Sequence, residues 1–229
     1  MTEAKLRREI VATARQMNAL GINRGKSGNV SARSAAGFLV TPTALAYESM
    51  RPEDVVAMSI AGEAGGPRLP SSEWRFHRDI YQARPDVGAI VHAHSSFATT
   101  LACLGRDIPP FHYMIAVAGG KDIRCAPYAT FGTQALSDHA LLALEGRKAC
   151  LLANHGMIAV GGSLAAALAL AVEVEALAEQ YWRALQIGTP NLLSDAEMEV
   201  VLYKFAAYNQ PAGAGNDRIR RKNRDRRQR

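Results

Sequence analysis

Cysteine is scarce in this 229-residue chain: Cys103, Cys125 and Cys150 are odd in number and form no C-x-x-C pair. That excludes a disulfide framework and predicts a reduced, cytoplasmic setting. Long apolar runs are absent too; none approaches the roughly 18 residues that a helical membrane span requires. The stretch Thr2–Glu9 is charged and lacks the apolar core of a secretory signal. Aromatic residues make up only 7% of the chain, and none stands among the C-terminal arginines. Hydrophobic residues make up 48%, an ordinary globular value over a length that supports one large domain.

The net charge of +6 comes from one place. Of the 27 basic and 21 acidic residues, eight and two lie in 217–229, which leaves 19 of each in the body. Residues 1–210 therefore read as a neutral domain. Residues 211–229 read as a basic, disordered tail behind the linker Pro211-Ala212-Gly213-Ala214-Gly215-Asn216. A nucleic-acid arm is the rival reading of the tail, and it is disfavoured because no aromatic residue interleaves to stack on bases.

Apolar periodicity predicts an opening helix over Glu3–Leu20, a polar glycine-rich loop over Gly25–Ser31, and short strands at Phe38–Val40 and Val55–Met58. A helix capped by Ser72 is expected to end before Pro85. A strand through Ala89–Ser95, a helix near Phe97–Leu101, a short helix over Ser137–Leu144 and a strand run over Cys150–Val160 follow. Ser163 caps a long helix over Leu164–Gln186, and Ser194-Asp195-Ala196-Glu197 is a capping box for a last helix to about Tyr208. Several of these strands lack a helical crossover. The fold class expected is α/β: a single domain with a central mixed or antiparallel sheet flanked by helices on both faces.

Within this frame, His92 and His94 stand two residues apart in an apolar strand, so their rings share one face. Buried imidazoles need polar partners or a metal. His155 interrupts the second apolar run. Three nitrogen ligands with an open fourth position describe a catalytic zinc site. Glu73, at a helix start, is the natural acid/base partner and a possible additional ligand. His77, four residues on, is a rival ligand. Gly28-Asn29, Thr43 and Ser71-Ser72 are short polar elements of the kind that grip phosphate. Gly25-Lys26-Ser27 is not a P-loop, because a helix rather than a strand precedes it.

Gly28-Asn29-Val30-Ser31, Thr41-Pro42-Thr43, Leu69–His77, Val91-His92-Ala93-His94, Ile108–Met114, Ala126–Thr133 and His155-Gly156 together resemble the class II aldolase/adducin family, from about residue 5 to about 208. The resemblance implies a cytoplasmic lyase with one Zn2+ per subunit, held by His92, His94 and His155. It implies reversible retro-aldol cleavage of L-fuculose 1-phosphate, or a related ketose or deoxyketose 1-phosphate, to dihydroxyacetone phosphate and L-lactaldehyde or another small aldehyde. It also implies Glu73 as acid/base, Gly28, Asn29, Thr43, Ala44, Ser71 and Ser72 around the phosphate, and a homotetramer with sites between subunits. Tyr113 would then reach a neighbour's site, with Tyr208 as the match to a C-terminal tyrosine.

Two departures fall in the phosphate loops. Ala44 stands where the family often has glycine, and its Cβ resists φ > 0. Ser27 stands where a smaller residue is expected. Same-fold alternatives are a methylthioribulose-1-phosphate type dehydratase, a sugar-phosphate 4-epimerase and a non-enzymatic adducin-like domain. Glu73 and Tyr113 together favour the aldolase, because an aspartate usually replaces the glutamate in the epimerases.

Overall fold

The computed structural model of the chain describes residues 2–208. The expected basic tail, and the expected domain limit at residue 210, lie outside them. The element order is α1 (Glu3–Ala19), β1 (Asn29–Ser34), β2 (Gly37–Val40), β3 (Val56–Met58), β4 (Ala64–Gly65), α2 (Trp74–Ala83), β5 (Ala89–Ala93), α3 (Ser96–Cys103), β6 (Cys125–Ala126), α4 (Gln134–Ala143), β7 (Ala149–Leu152), β8 (Gly156–Gly161), α5 (Leu164–Ile187) and α6 (Asp195–Tyr208). Short 3-10 turns cover Pro52–Asp54 and Tyr113–Ala118.

Eight strands form one sheet in the order β4-β3-β2-β1-β5-β8-β7-β6. The β6–β7 pair is parallel and the other pairs are antiparallel. This is the expected mixed sheet. Strand alternation sorts the side chains between two apolar layers. Val30, Val91, Ala93 and Met157 pack under Ile10 and Met17 of α1, Leu101 of α3 and Val174 and Leu177 of α5. Phe38, Ile90, Cys150 and Ile158 pack under Phe76 and Ile80 of α2 and Leu136 and Ala140 of α4. Helices therefore cover both faces. Val174 and Leu177 are fully buried, and each contributes about 1.5–3 kcal/mol of apolar burial. Ser163 caps α5, its hydroxyl accepting the Ala166 N–H at 3.2 Å. Ser194 and Glu197 close the expected box reciprocally at 3.0 and 3.2 Å.

Three local readings are corrected. Asn29–Ser31 is strand, not loop, because β2 and β5 pair with β1 on either side; sheet pairing outweighs the weak β propensity of Asn and Ser. The Cys150–Val160 run is a hairpin of β7 and β8, not one strand. Asn154 turns the chain between them at φ 56, a conformation that Asn tolerates better than most residues. Finally, α2 begins at Trp74, with Glu73 rather than Ser72 at its N-cap.

Candidate active site

The turn and register just described bring four distant residues to one end of the sheet. His92 stands one residue before the end of the central strand β5, where it pairs with Asn29 of β1 and Ile158 of β8. His94 lies just past the strand end, and His155 sits in the β7–β8 turn. Glu73 enters from the start of α2. One ligand atom from each of Glu73, His92, His94 and His155 lies within 4.8 Å of the others. The three rings meet edge to face, with centroids 4.8–4.9 Å apart. Gly156 permits this approach: a Cβ there would stand 2.5 Å from Ala93 O and 2.9 Å from His94 Cδ2.

Hydrogen bonds orient the nitrogens. The Met157 carbonyl accepts from His92 Nδ1 at 2.9 Å, which fixes the proton there and leaves the Nε2 lone pair for the cluster. His92 Nε2 lies 3.0 Å from His94 Nε2 and 3.1 Å from Glu73 Oε2. Glu73 Oε1 faces His155 Nε2 at 3.0 Å, and it has no hydrogen-bond partner unless that nitrogen carries a proton. Burial by itself pushes the Glu73 carboxyl up. His92 and His155 beside it outweigh that and hold it well below the usual carboxylate range. Burial and the neighbouring His92 and His155 push His94 down to about 4, so it stays neutral and able to donate a lone pair. Burial opposes the charged form of His92 as well, but Glu73 raises it on balance. Convergent imidazole lone pairs around a buried carboxylate oxygen without a settled partner are a donor set that fits a divalent metal ion.

His77 is not in this cluster. It is fully buried, with Nε2 2.5 Å from Asn29 Oδ1 and Nδ1 2.7 Å from Ser31 Oγ. Asn29 Nδ2 donates to Glu73 Oε2 at 2.9 Å. Thus the Asn29 side chain, expected at the phosphate, faces the carboxylate and His77.

The three expected phosphate elements are stitched together beside Glu73. The Thr43 N–H donates to Leu69 O at 3.1 Å and the Ser71 N–H to Thr41 O at 3.0 Å. Ser71 Oγ accepts the Glu73 N–H at 3.3 Å. Gly28 leaves no room for a side chain, because a Cβ would lie 2.5 Å from His92 O. Its N–H is taken by Asn23 Oδ1 at 3.1 Å. Ala44 does adopt left-handed backbone, with φ 58, and the Lys26 ammonium donates to its carbonyl at 3.2 Å. Thr43, Ala44 and Ser72 are exposed, whereas Ser71 is buried.

Tyr113 lies outside the four-residue cluster. It is 51% exposed, and its ring stands 6.5 Å from that of Phe205 on α6. Tyr208 ends α6, and its side chain falls outside what the structure describes. Sequence reasoning missed Glu175 of α5. Its carboxylate accepts the Phe97 and Ala98 N–H groups at 2.8 and 2.9 Å and so caps α3, the helix that starts two residues after His94.

Residues 8–182 match the family described as Class II Aldolase and Adducin N-terminal domain. The 5-methylthioribulose-1-phosphate/5-deoxyribulose-1-phosphate aldolase of Rhodospirillum rubrum is 60% identical over 90% of this chain and 94% of its own length. The L-fuculose phosphate aldolase of Escherichia coli is 50% identical over 91% of this chain and 97% of its own. A solved L-fuculose 1-phosphate aldolase superposes with TM-score 0.87 at 41% identity, covering 90% of this chain and 98% of that one.

Proposed function

The chain belongs to the class II aldolase and adducin family, and we propose that it is a zinc-dependent lyase that cleaves a deoxyketose 1-phosphate. The products are dihydroxyacetone phosphate and a small aldehyde. The substrates named for the relatives above, L-fuculose phosphate, 5-deoxyribulose 1-phosphate and 5-methylthioribulose 1-phosphate, are phosphorylated ketoses that lack the hydroxyl at the far end. L-Fuculose 1-phosphate would give L-lactaldehyde, and 5-deoxyribulose 1-phosphate would give acetaldehyde. The observation that carries the reading is the convergence of Glu73, His92, His94 and His155.

His92, His94 and His155 would hold the zinc, with Glu73 in reach of it. Bound there, Zn2+ supplies Lewis-acid stabilisation of the negative charge that spreads over the ketose oxygens as the C3–C4 bond breaks. Glu73 carries the proton of C3: it returns that proton in cleavage and removes it in condensation. Thr43, Ala44, Ser71 and Ser72 would surround the phosphate together with the Gly28-Asn29 backbone, while the Asn29 side chain stays on Glu73 and His77. In condensation the Tyr113 hydroxyl of a neighbouring subunit in a homotetramer protonates the aldehyde oxygen that becomes the C4 hydroxyl, and in cleavage the tyrosinate takes that proton back. Exchange with water resets Glu73 and Tyr113 between turnovers. The exposure of Tyr113 away from its own chain's cluster supports the role. Tyr208 would close the aldehyde end.

The test is product identification. Zinc-loaded protein is incubated with the three ketose 1-phosphates, and dihydroxyacetone phosphate is read by a coupled dehydrogenase. Release from at least one supports the proposal. Loss of water from the methylthio sugar without dihydroxyacetone phosphate would make the protein a dehydratase instead.

A further inference from the structure

A single line of hydrogen bonds runs from Glu73 into the core. Asn29 Nδ2 donates to Glu73 Oε2 at 2.9 Å. Asn29 Oδ1 meets His77 Nε2 at 2.5 Å, His77 Nδ1 meets Ser31 Oγ at 2.7 Å, and Ser31 Oγ meets the Tyr81 hydroxyl at 2.8 Å. Each member is buried: Glu73 5%, Asn29 2%, His77 0%, Ser31 0% and Tyr81 2% exposed. His77 also stacks on Phe76, with centroids 4.5 Å apart, so the ring cannot turn freely.

The ends of this line set its direction. A carboxylate only accepts, so Asn29 must present its NH2 to Glu73 and its carbonyl to His77. His77 Nε2 must then carry a proton. Nδ1 of the neutral ring is left to accept from Ser31, and Ser31 in turn accepts from Tyr81. Each donor points toward the carboxylate. An amide does not pass a proton along such a line, so the line orients and does not relay. Its effect on Glu73 is to tie down Oε2 and leave Oε1 as the oxygen without a settled partner.

We propose that His77 is a positioning residue for Glu73. It acts through the Asn29 amide to hold Oε2 and so make Oε1 the oxygen that works on the substrate. Its place beside a carboxylate in the proposed aldolase rests on the function argued above, and the test separates the two.

The first measurement does not depend on turnover. Histidine labelled with 15N, with the His77 signals identified by their loss in H77Q, reports the ring's tautomer in the full-length, zinc-loaded protein at pH 7.5. A neutral ring protonated at Nε2 is expected; an Nδ1–H tautomer or a charged ring overturns the proposal. The second measurement compares His77→Leu and His77→Gln with the parent. Leu removes the donor to Asn29, whereas the Gln amide replaces it. For H77L the expected result is a fall in kcat of about 10–100-fold, the usual range for a residue that orients a working group, with KM and zinc content within about twofold. H77Q should recover most of that kcat. An unchanged kcat in H77L, a loss confined to KM or zinc content, or an H77Q that is folded but no better than H77L overturns it. If the parent releases no dihydroxyacetone phosphate, the aldolase reading fails while the tautomer still decides the orienting role.

Discussion

The inner wall of the site and its outer rim are built differently. The wall, with Glu73, Asn29, His77 and His92, is buried and cross-linked by hydrogen bonds that start on β1, β5, β8 and α2 of one chain. The rim, with Thr43, Ala44, Ser72 and Tyr113, is exposed, and Ala44 is held in left-handed backbone. A wall fixed before ligand arrives has little to reorganise during the reaction, which is what electrostatic preorganisation requires. A rim with open hydroxyls and an outward tyrosine is what substrate, and the neighbouring subunit of the proposed homotetramer, would complete. Chemistry should therefore fail when the wall is altered, and substrate range should shift when the rim is.

The largest effect should come from the wall's working group. Glu73→Gln keeps the shape but cannot carry the C3 proton, so kcat should fall by about 10²–10⁴-fold while zinc, measured by elemental analysis, stays bound. Next is Gly156→Ala. Its Cβ would enter the space of Ala93 O and His94, so zinc affinity measured by competition with a chelating dye should drop about 10-fold or more. On the rim, Tyr113→Phe should slow turnover less than E73Q does and alter the ranking of the three ketose 1-phosphates. Equal losses in E73Q and Y113F with an unchanged ranking would erase the contrast.

Two smaller effects concern stability. Burial, and His92 after it, pushes His77 down to about 3 from an ordinary value of 6.5. The fold therefore prefers the neutral ring. This stability is fully present above pH 6.5 and is lost as pH falls through that value toward 3, by about 1.4 kcal/mol per unit. Urea unfolding of zinc-free protein should show the loss between pH 6.5 and 5 reduced by about 2 kcal/mol in H77Q. An identical loss would remove His77 as its source. The smallest effect is on the rim: Ala44→Gly relieves the left-handed alanine at some entropic cost, and should raise stability by about 0.5–1 kcal/mol.

How much of this could be read in advance depended on sequence distance. The His92/His94 alternation was legible because strand periodicity is local, and the mixed sheet followed from strands without crossovers. The strain at Ala44 was legible only through the family resemblance, because an alanine stands where relatives often carry glycine, and the structure gives it φ 58. The hairpin at His155 was not, since β7 and β8 form one apolar run until Asn154 takes its left-handed turn. Asn29–Ser31 looked like loop because pairing with His92 and Ile90 comes from far along the chain. The orienting line was invisible for the same reason: its links from β1 to Glu73 and α2 span 44 to 50 residues. His77 consequently resembled a ligand, when its partners are Asn29 and Ser31.

The most direct test adds Zn2+ back to chelator-stripped protein while dihydroxyacetone phosphate release from L-fuculose 1-phosphate and 5-deoxyribulose 1-phosphate is followed. Activity should climb from background to a plateau at one zinc per chain, and His94→Ala should abolish the climb. Full activity before zinc is added, or a plateau that H94A leaves untouched, would contradict the metal-centred wall.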